Sequence, residues 1–186
     1  MFTTNSPNAK IWASVVAEKL GIPLDVDVIN GVSNTINGGN YAQGGSRVSN
    51  PVGVANNPAI GITTIPVTQQ IDRLLADTPT FNRNDLVALW AGSNDGFIQF
   101  ATVAAGAITP QAALAEMSTA ATQLLAQIDR LKAAGAQNIV VITVPNLGVT
   151  PQARIIEDGS VSGTPAPGSI ALLTALSASF NNTLTS

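Results

Sequence analysis

Apolar residues recur along the chain in two alternating spacings, one typical of helices and the other typical of strands. The helical spacing predicts helices over residues 8–20, 66–77 and 109–135, and a last helix that reaches residue 186. Short runs of apolar residues predict strands over residues 25–30, 86–91 and 138–144. This alternation is typical of an α/β domain with a largely parallel sheet.

The predicted ends of these elements rest on residue types that start or stop them. Thr109 and Pro110 have the types expected at an N-cap and at the first helical position. The strand over residues 86–91 is apolar throughout, so we expect it to be buried on both faces, with Trp90 in the core. The polar segment 92–96 should form the turn that follows this strand.

Residues 31–65 interrupt the pattern, because they are rich in Gly, Asn, Thr and Ser. A segment of this length without apolar spacing is too long for a simple connection. We therefore expect an extended surface loop that carries function.

Composition narrows the class of protein. Hydrophobic residues make up 45% of the 186 residues and charged residues 10%, which favours one folded domain over disorder. The net charge is -3 and the 8 Lys and Arg residues are scattered singly, so we expect no nucleic-acid partner. The longest aliphatic run, residues 139–144, is too short for a membrane span.

Two residue types that often carry chemistry are absent. The chain has no Cys, which excludes disulfides and thiolate metal sites within it. It also has no His, which removes the usual general base and a common metal ligand. A Ser-His-Asp triad therefore cannot be assembled from these residues alone, and we expect neither a metal nor a cofactor.

Two polar motifs follow predicted strands. The first is Gly92-Ser93-Asn94-Asp95, directly after the strand over residues 86–91, and the second is the Gly-rich stretch 40–47 in the long loop. Taken singly, each is ordinary turn chemistry. Together, an amide side chain and a glycine backbone N–H at the ends of adjacent strands have the chemistry needed to stabilise an oxyanion.

The order and spacing of these motifs resemble conserved blocks II and III of the GDSL/SGNH hydrolases. Further stretches are similar to landmarks of the secreted bacterial esterases and lipases of that family: residues 2–5 with Trp12, then 70–72, 89–92, 144–151 and 179–181. The resemblance implies a flavodoxin-like three-layer α/β/α sandwich with a mostly parallel sheet. It also implies that Gly45 supplies a backbone oxyanion donor, that Asn94 supplies a side-chain donor, and that the substrate is a small-molecule or lipid ester.

The chain departs from the family pattern in two places. No Gly-Asp-Ser-Leu block, which carries the nucleophilic serine, and no Asp-x-x-His block occurs in residues 1–186. We therefore expect residues 1–186 to form a single, partial domain. It would be an internal fragment without the first strand and the C-terminal end, and it would be inactive alone. The missing first strand would lie between the strands over residues 25–30 and 86–91. Without it, these two strands should stand ~9.6 Å apart, twice the spacing of paired strands. The resemblance implies that an intact parent is secreted or associated with the outer membrane.

Other interpretations of the motifs remain. Ser46 and Ser93 lie beside the proposed donors, but a hydroxyl without a base is a poor nucleophile. Asp95 is interpreted as a turn or hydrogen-bonding residue rather than an acid, and Arg47 as a solvated or capping residue. The alternative function is a non-catalytic module that binds esters or carbohydrates. A structural repeat protein is disfavoured because the chain has no fixed period.

Overall fold

The computed structural model describes residues 10–22, 24, 28–29, 32–33, 39–54, 64–160 and 163–186. Six α-helices lie in these residues: α1 (Trp12–Leu20), α2 (Val67–Asp77), α3 (Ser93–Ala104), α4 (Pro110–Ala133), α5 (Pro151–Asp158) and α6 (Ser169–Leu184). The strands described are β1 (Val28–Ile29), β2 (Val32–Ser33), β3 (Leu86–Trp90) and β4 (Asn138–Ile142). The fold is a mixed α/β fold, rich in helix, with a small parallel sheet.

The predicted helices are confirmed where the residues are described, except that residues 10 and 11 precede α1 and that α6 ends at Leu184 instead of reaching residue 186. α1 ends at Gly21, whose φ of 69° stops the helix in the left-handed region. α4 begins as expected, because the Thr109 hydroxyl accepts a hydrogen bond from the Ala112 N–H and Pro110 follows. α5 was not predicted, although Thr150 caps it in the same way.

The expected turn over residues 92–96 is wrong. Gly92 adopts φ 102°, which reverses the chain sharply, and α3 begins at the next residue. Ser93, Asn94 and Asp95 therefore occupy the first helical turn. These residue types favour helix starts as well as turns, and the pattern of apolar residues does not separate the two.

β3 and β4 pair in parallel, with Val87 opposite Ile139 and Trp90 opposite Ile142. β1 and β2 form a separate antiparallel pair. Within the described residues no ladder joins β1 to β3. The rest of the predicted strand over residues 25–30 lies outside the described residues, so the slot for a missing strand and the three-layer arrangement stay predictions.

In the part of the chain that the structure describes, one face of the β3–β4 pair is buried and the other is not. Val87 and Leu89 point into the core, whereas Leu86, Trp90 and Val140 are 46%, 39% and 45% exposed. The expectations that this strand is buried on both faces and that Trp90 belongs to the core are therefore wrong. Period-two alternation places Trp90 on the face that the helices do not cover.

The core lies between that sheet face and the helices. α4 packs mainly against α6 and also contacts α3 and α2. Met117, Leu124 and Leu131 of α4 and Phe180 of α6 have no exposed surface. This packing fixes the carboxyl end of β3, because the Phe180 ring lies directly against Gly92.

We predict that Gly92→Ala destabilises the fold much more than Gly168→Ala. A Cβ at residue 92 would lie 2.6 Å from the Phe180 ring and 2.8 Å from Val144, whereas one at Gly168 meets nothing within 4 Å. The two glycines have similar positive φ, 102° and 91°, so the control carries similar backbone strain. Urea unfolding should give losses of about 2 to 4 kcal/mol for Gly92→Ala and about 1 kcal/mol for Gly168→Ala. Equal losses would contradict the packing described for Phe180.

Candidate oxyanion site

The fold brings Asn94 against the Gly-rich loop. The Asn94 Nδ2 donates a hydrogen bond to the backbone carbonyl of Ser46 at 2.8 Å. Ser46 directly follows Gly45, so the two residues predicted as oxyanion donors lie on segments that touch. Within the described residues no further hydrogen bond uses the second N–H of Asn94, which is half-buried.

Gly45 has a conformation that favours glycine. Its φ is 85°, and its carbonyl accepts a hydrogen bond from the Val54 N–H at 2.9 Å. Gly53 allows this approach, because a Cβ at residue 53 would collide with the Gly45 carbonyl oxygen. In the described part of the chain the Gly45 N–H itself has no hydrogen-bond partner.

The amino end of α3 adds a positive potential at this place. Its N-cap is Gly92, which has no side chain to accept hydrogen bonds from the first turn. Aligned peptide dipoles give a helix N-terminus about half a positive charge. Asn94 is the second residue of this 12-residue helix, so its amide lies where the helix favours an anion.

Arg47 is not the solvated or capping residue that we expected from the sequence. Its Nε donates to Asp95 Oδ1 at 3.0 Å, and the side chains of Arg47 and Asp95 are only 12% and 4% exposed. The two residues lie 48 positions apart in the sequence, so no local sequence pattern could predict this ion pair. Its burial follows from the packing of the loop onto α3.

Asp95 acts here as a hydrogen-bond acceptor. Its second oxygen accepts from the Val48 N–H at 3.0 Å. Burial raises the pKa of Asp95 above the usual aspartate value, although the Val48 N–H and the Arg47 guanidinium oppose that rise. Desolvation therefore outweighs the stabilising contacts of the charged form.

Gln70 of α2 holds the other side of the loop. Its Nε2 donates to the Ser46 hydroxyl at 3.0 Å and to the Ile65 carbonyl at 2.9 Å, and the residue is 7% exposed. In the sequence, Gln70 belongs to a stretch that is similar to a family landmark, and no role was predicted for it. A signal existed, since Gln70 adjoins Ile71 on the buried side of an amphipathic helix, where a polar residue needs a partner.

The two candidate serines lie at this site without a base. Ser46 is buried and Ser93 is half-buried. The full sequence has no His to accept a proton from either hydroxyl.

In the described ranges, no group of three or more His, Cys, Asp or Glu residues could hold a metal ion. None of the helices described has both the length and the apolar content to cross a membrane.

We predict that Asp95 titrates above the usual aspartate range and that Asp158 titrates below it. Burial raises the pKa of Asp95, whereas hydrogen bonds from Ser160 lower the pKa of exposed Asp158. Carbon-13 NMR of the carboxyl groups would measure both pKa values in one titration. Arg47→Gln should raise the pKa of Asp95 further, because Arg47 favours the charged form.

The same shift fixes the sign of one stability effect. A carboxyl pKa that is higher in the folded state than in the unfolded state makes folding bind a proton. The contribution of Asp95 to the free energy of unfolding should therefore fall as pH rises from the ordinary aspartate value through its raised value. An Asp95 pKa at or below that of Asp158 would contradict the burial of the carboxylate.

Comparison with known proteins bears on the family to which the chain belongs. The family model described as GDSL-like Lipase/Acylhydrolase matches residues 2–186. A curated relative, the Arabidopsis thaliana protein "GDSL esterase/lipase 6", is 27% identical over 155 residues. That match covers 77% of the chain but only 41% of the relative, so the chain spans about two fifths of the relative's length. The match along almost the whole sequence confirms the resemblance drawn from the motifs, and the chain belongs to the GDSL-like lipase/acylhydrolase family.

Proposed function

We propose that residues 1–186 carry the oxyanion-binding part of an ester hydrolase, with the Gly45 N–H and the Asn94 Nδ2 as donors. The observation that carries this proposal is the hydrogen bond from Asn94 to the Ser46 carbonyl. It holds a carboxamide against the glycine loop and leaves one N–H of that carboxamide for a ligand. Family membership supports a hydrolase that acts on ester bonds.

The chemistry of ester cleavage explains why such donors are needed. Attack on an ester carbonyl converts the carbonyl oxygen into an anion within a tetrahedral intermediate. Donors that already point at this oxygen lower the barrier, because they need no reorganisation when the charge develops. The uncapped amino end of α3 lowers the energy of the same charge.

We further propose that the nucleophilic serine and its histidine base are supplied from outside residues 1–186. The sequence contains no His and no Gly-Asp-Ser-Leu tetrapeptide. The chain also spans only 41% of the length of its plant relative. The proposed substrate of the assembled enzyme is a carboxylic ester of a small molecule or lipid, and its proposed location is secreted or at the outer membrane.

A second function is favoured by one observation. The Gly45 and Asn94 donors can bind an ester or a tetrahedral anion. Because the chain has no His, it cannot activate a serine by the usual proton transfer to histidine. The 186 residues would then act as a non-catalytic module that recognises acyl esters. The two functions differ in whether an added serine and histidine bring turnover.

We predict that the purified chain does not form an acyl-serine. Covalent turnover needs an activated hydroxyl and a base, and the hydroxyls of Ser46 and Ser93 have no histidine. Incubation with a serine-directed fluorophosphonate, followed by intact-mass spectrometry, should show no stoichiometric adduct. Labelling of a single serine would mean that the chain activates a hydroxyl by another route and is an enzyme by itself.

We predict that the chain binds a stable tetrahedral anion at Gly45 and Asn94. The probe is ethyl butylphosphonate, a monoanion that has the shape of the ester intermediate and cannot react further. Nitrogen-15 NMR titration should shift the Gly45 amide and the Asn94 side-chain amide together. Asn94→Ala should weaken binding roughly 10-fold to 100-fold, the value of one lost hydrogen bond to an anion.

Asn138→Ala is the matched control for this titration. Asn138 is an exposed carboxamide that also donates to backbone carbonyls, those of Arg83 and Asp85, but it lies at the opposite end of the β3–β4 pair. The phosphonate affinity of this variant should equal that of the wild type. Shifts that spread over the surface without involving residues 45 and 94 would remove the proposed oxyanion site.

A further inference from the structure

Two consecutive residues of α3 hold three consecutive residues of the loop. Asn94 donates to the Ser46 carbonyl, and Asp95 accepts from the Arg47 side chain and from the Val48 backbone. These three contacts measure 2.8, 3.0 and 3.0 Å. Gly45 immediately precedes the held segment, so its N–H is placed by contacts made one to three residues further along the chain.

The opposite side of the segment is held by the amino end of α2. The Val67 N–H donates to the Arg47 carbonyl and the Thr68 N–H donates to the Val48 carbonyl, both at 3.0 Å. Residues 46–48 therefore lie between the first turns of two helices. From α2, backbone N–H groups hold the carbonyls of Arg47 and Val48 and the Gln70 side chain holds the Ser46 hydroxyl. From α3, each of the three contacts is made by a side chain, so substitution can remove them one at a time.

The ion pair in this contact is costly as a source of stability. Both side chains lie almost entirely away from solvent. Removing two charges from water costs several kcal/mol for each ion, and an apolar pair of similar volume is often at least as stabilising. The surface pair of Arg130 and Asp72, by comparison, is 42% and 57% exposed and is not desolvated in this way. Stability alone is therefore a weak reason for a buried Arg47–Asp95 pair next to the oxyanion donors.

We propose that Asp95 and Arg47 form a positioning pair that fixes the Gly45 N–H opposite the Asn94 amide. This inference rests on the proposed oxyanion function and adds two residues that touch neither substrate nor reacting atoms. Asp95 fixes the backbone of Val48 with one oxygen and the side chain of Arg47 with the other. The Arg47 Nε holds one carboxylate oxygen, and this contact keeps the other oxygen directed at the Val48 N–H.

The test compares Asp95→Asn and Arg47→Gln with Asp72→Asn. The last variant is a matched control, because it removes an Asp–Arg ion pair that lies on the surface and joins α2 to α4. Nitrogen-15 order parameters of Gly45 and Ser46 report the loop, and NMR titration with ethyl butylphosphonate reports the site. Urea unfolding of each variant measures global stability separately.

We expect the order parameters of Gly45 and Ser46 to fall from about 0.85 towards 0.6 in Asp95→Asn and in Arg47→Gln. Phosphonate affinity should fall roughly tenfold in both variants, since a donor that is no longer preorganised contributes less to binding. Asp72→Asn should change neither quantity. The double variant Arg47→Gln with Asp95→Asn, which removes both charges and keeps hydrogen-bonding groups, should recover most of the loop order lost in either single variant.

The outcomes separate this inference from the function on which it rests. A wild-type chain that does not bind the phosphonate removes the proposed function and the inference with it. A wild-type chain that binds, with unchanged affinity and loop order in Asp95→Asn and Arg47→Gln, removes only the inference. If Asp95→Asn does not fold, Arg47→Gln alone decides, because it removes the charge of Arg47 and leaves Asp95 with its contact to the Val48 N–H. An unchanged loop and affinity in Arg47→Gln would then overturn the inference.

Discussion

The close contact between Gly92 and the Phe180 ring determines where the rest of the site lies. Because residue 92 has no side chain, the chain can reverse at φ 102° directly above the core and begin a helix at the next residue. That reversal places Asn94 and Asp95 in the first turn of α3, facing the loop that carries Gly45. A bulkier residue would displace the turn, and both side chains would lose their register with residues 46–48.

Two sources of electrostatic potential lie at the site, although the chain has few charged residues. One is the Arg47–Asp95 ion pair and the other is the amino end of α3. Only 10% of the residues are charged, and one buried carboxylate and one buried guanidinium lie within a few residues of the proposed donors. The helix end contributes a potential without any ionised group. An anion that forms beside Asn94 would therefore meet neutral donors and a dipole, while the nearest full charges are already paired with one another. Neutral donors bind the uncharged carbonyl of an ester weakly and the oxyanion of the intermediate more strongly, so their contribution grows as the charge develops.

Much of the helix pattern could be predicted, because local signals determine it. Thr109 with Pro110 marked the start of α4 correctly. α3 was missed because Ser93, Asn94 and Asp95 have the same types at a turn and at a helix start. The exposed face of β3 was missed because a continuous apolar run does not show which faces other elements cover.

In the candidate site too, some residues could be predicted from local sequence signals and others only from tertiary contacts. Gly45 and Asn94 could be selected from motif order, and the structure brings their segments into contact. The roles of Arg47 and Gln70 depend on partners 48 and 24 residues away, and no local pattern encodes those contacts. Family resemblance identified the motifs; the tertiary fold was needed to show which residues hold them.

The open face of the β3–β4 pair gives the chain a spectroscopic property. Both tryptophans of the sequence, Trp12 of α1 and Trp90 of β3, are more than one third exposed, at 37% and 39%. Indole emission in contact with water lies at longer wavelengths than emission from an apolar interior, and a soluble quencher reaches it easily. Any polypeptide segment that covers Leu86, Trp90 and Val140 would shift that emission to shorter wavelengths and shield it from iodide. The Trp90 contribution to the native fluorescence therefore reports whether this sheet face is covered, in addition to the contribution of Trp12 on α1.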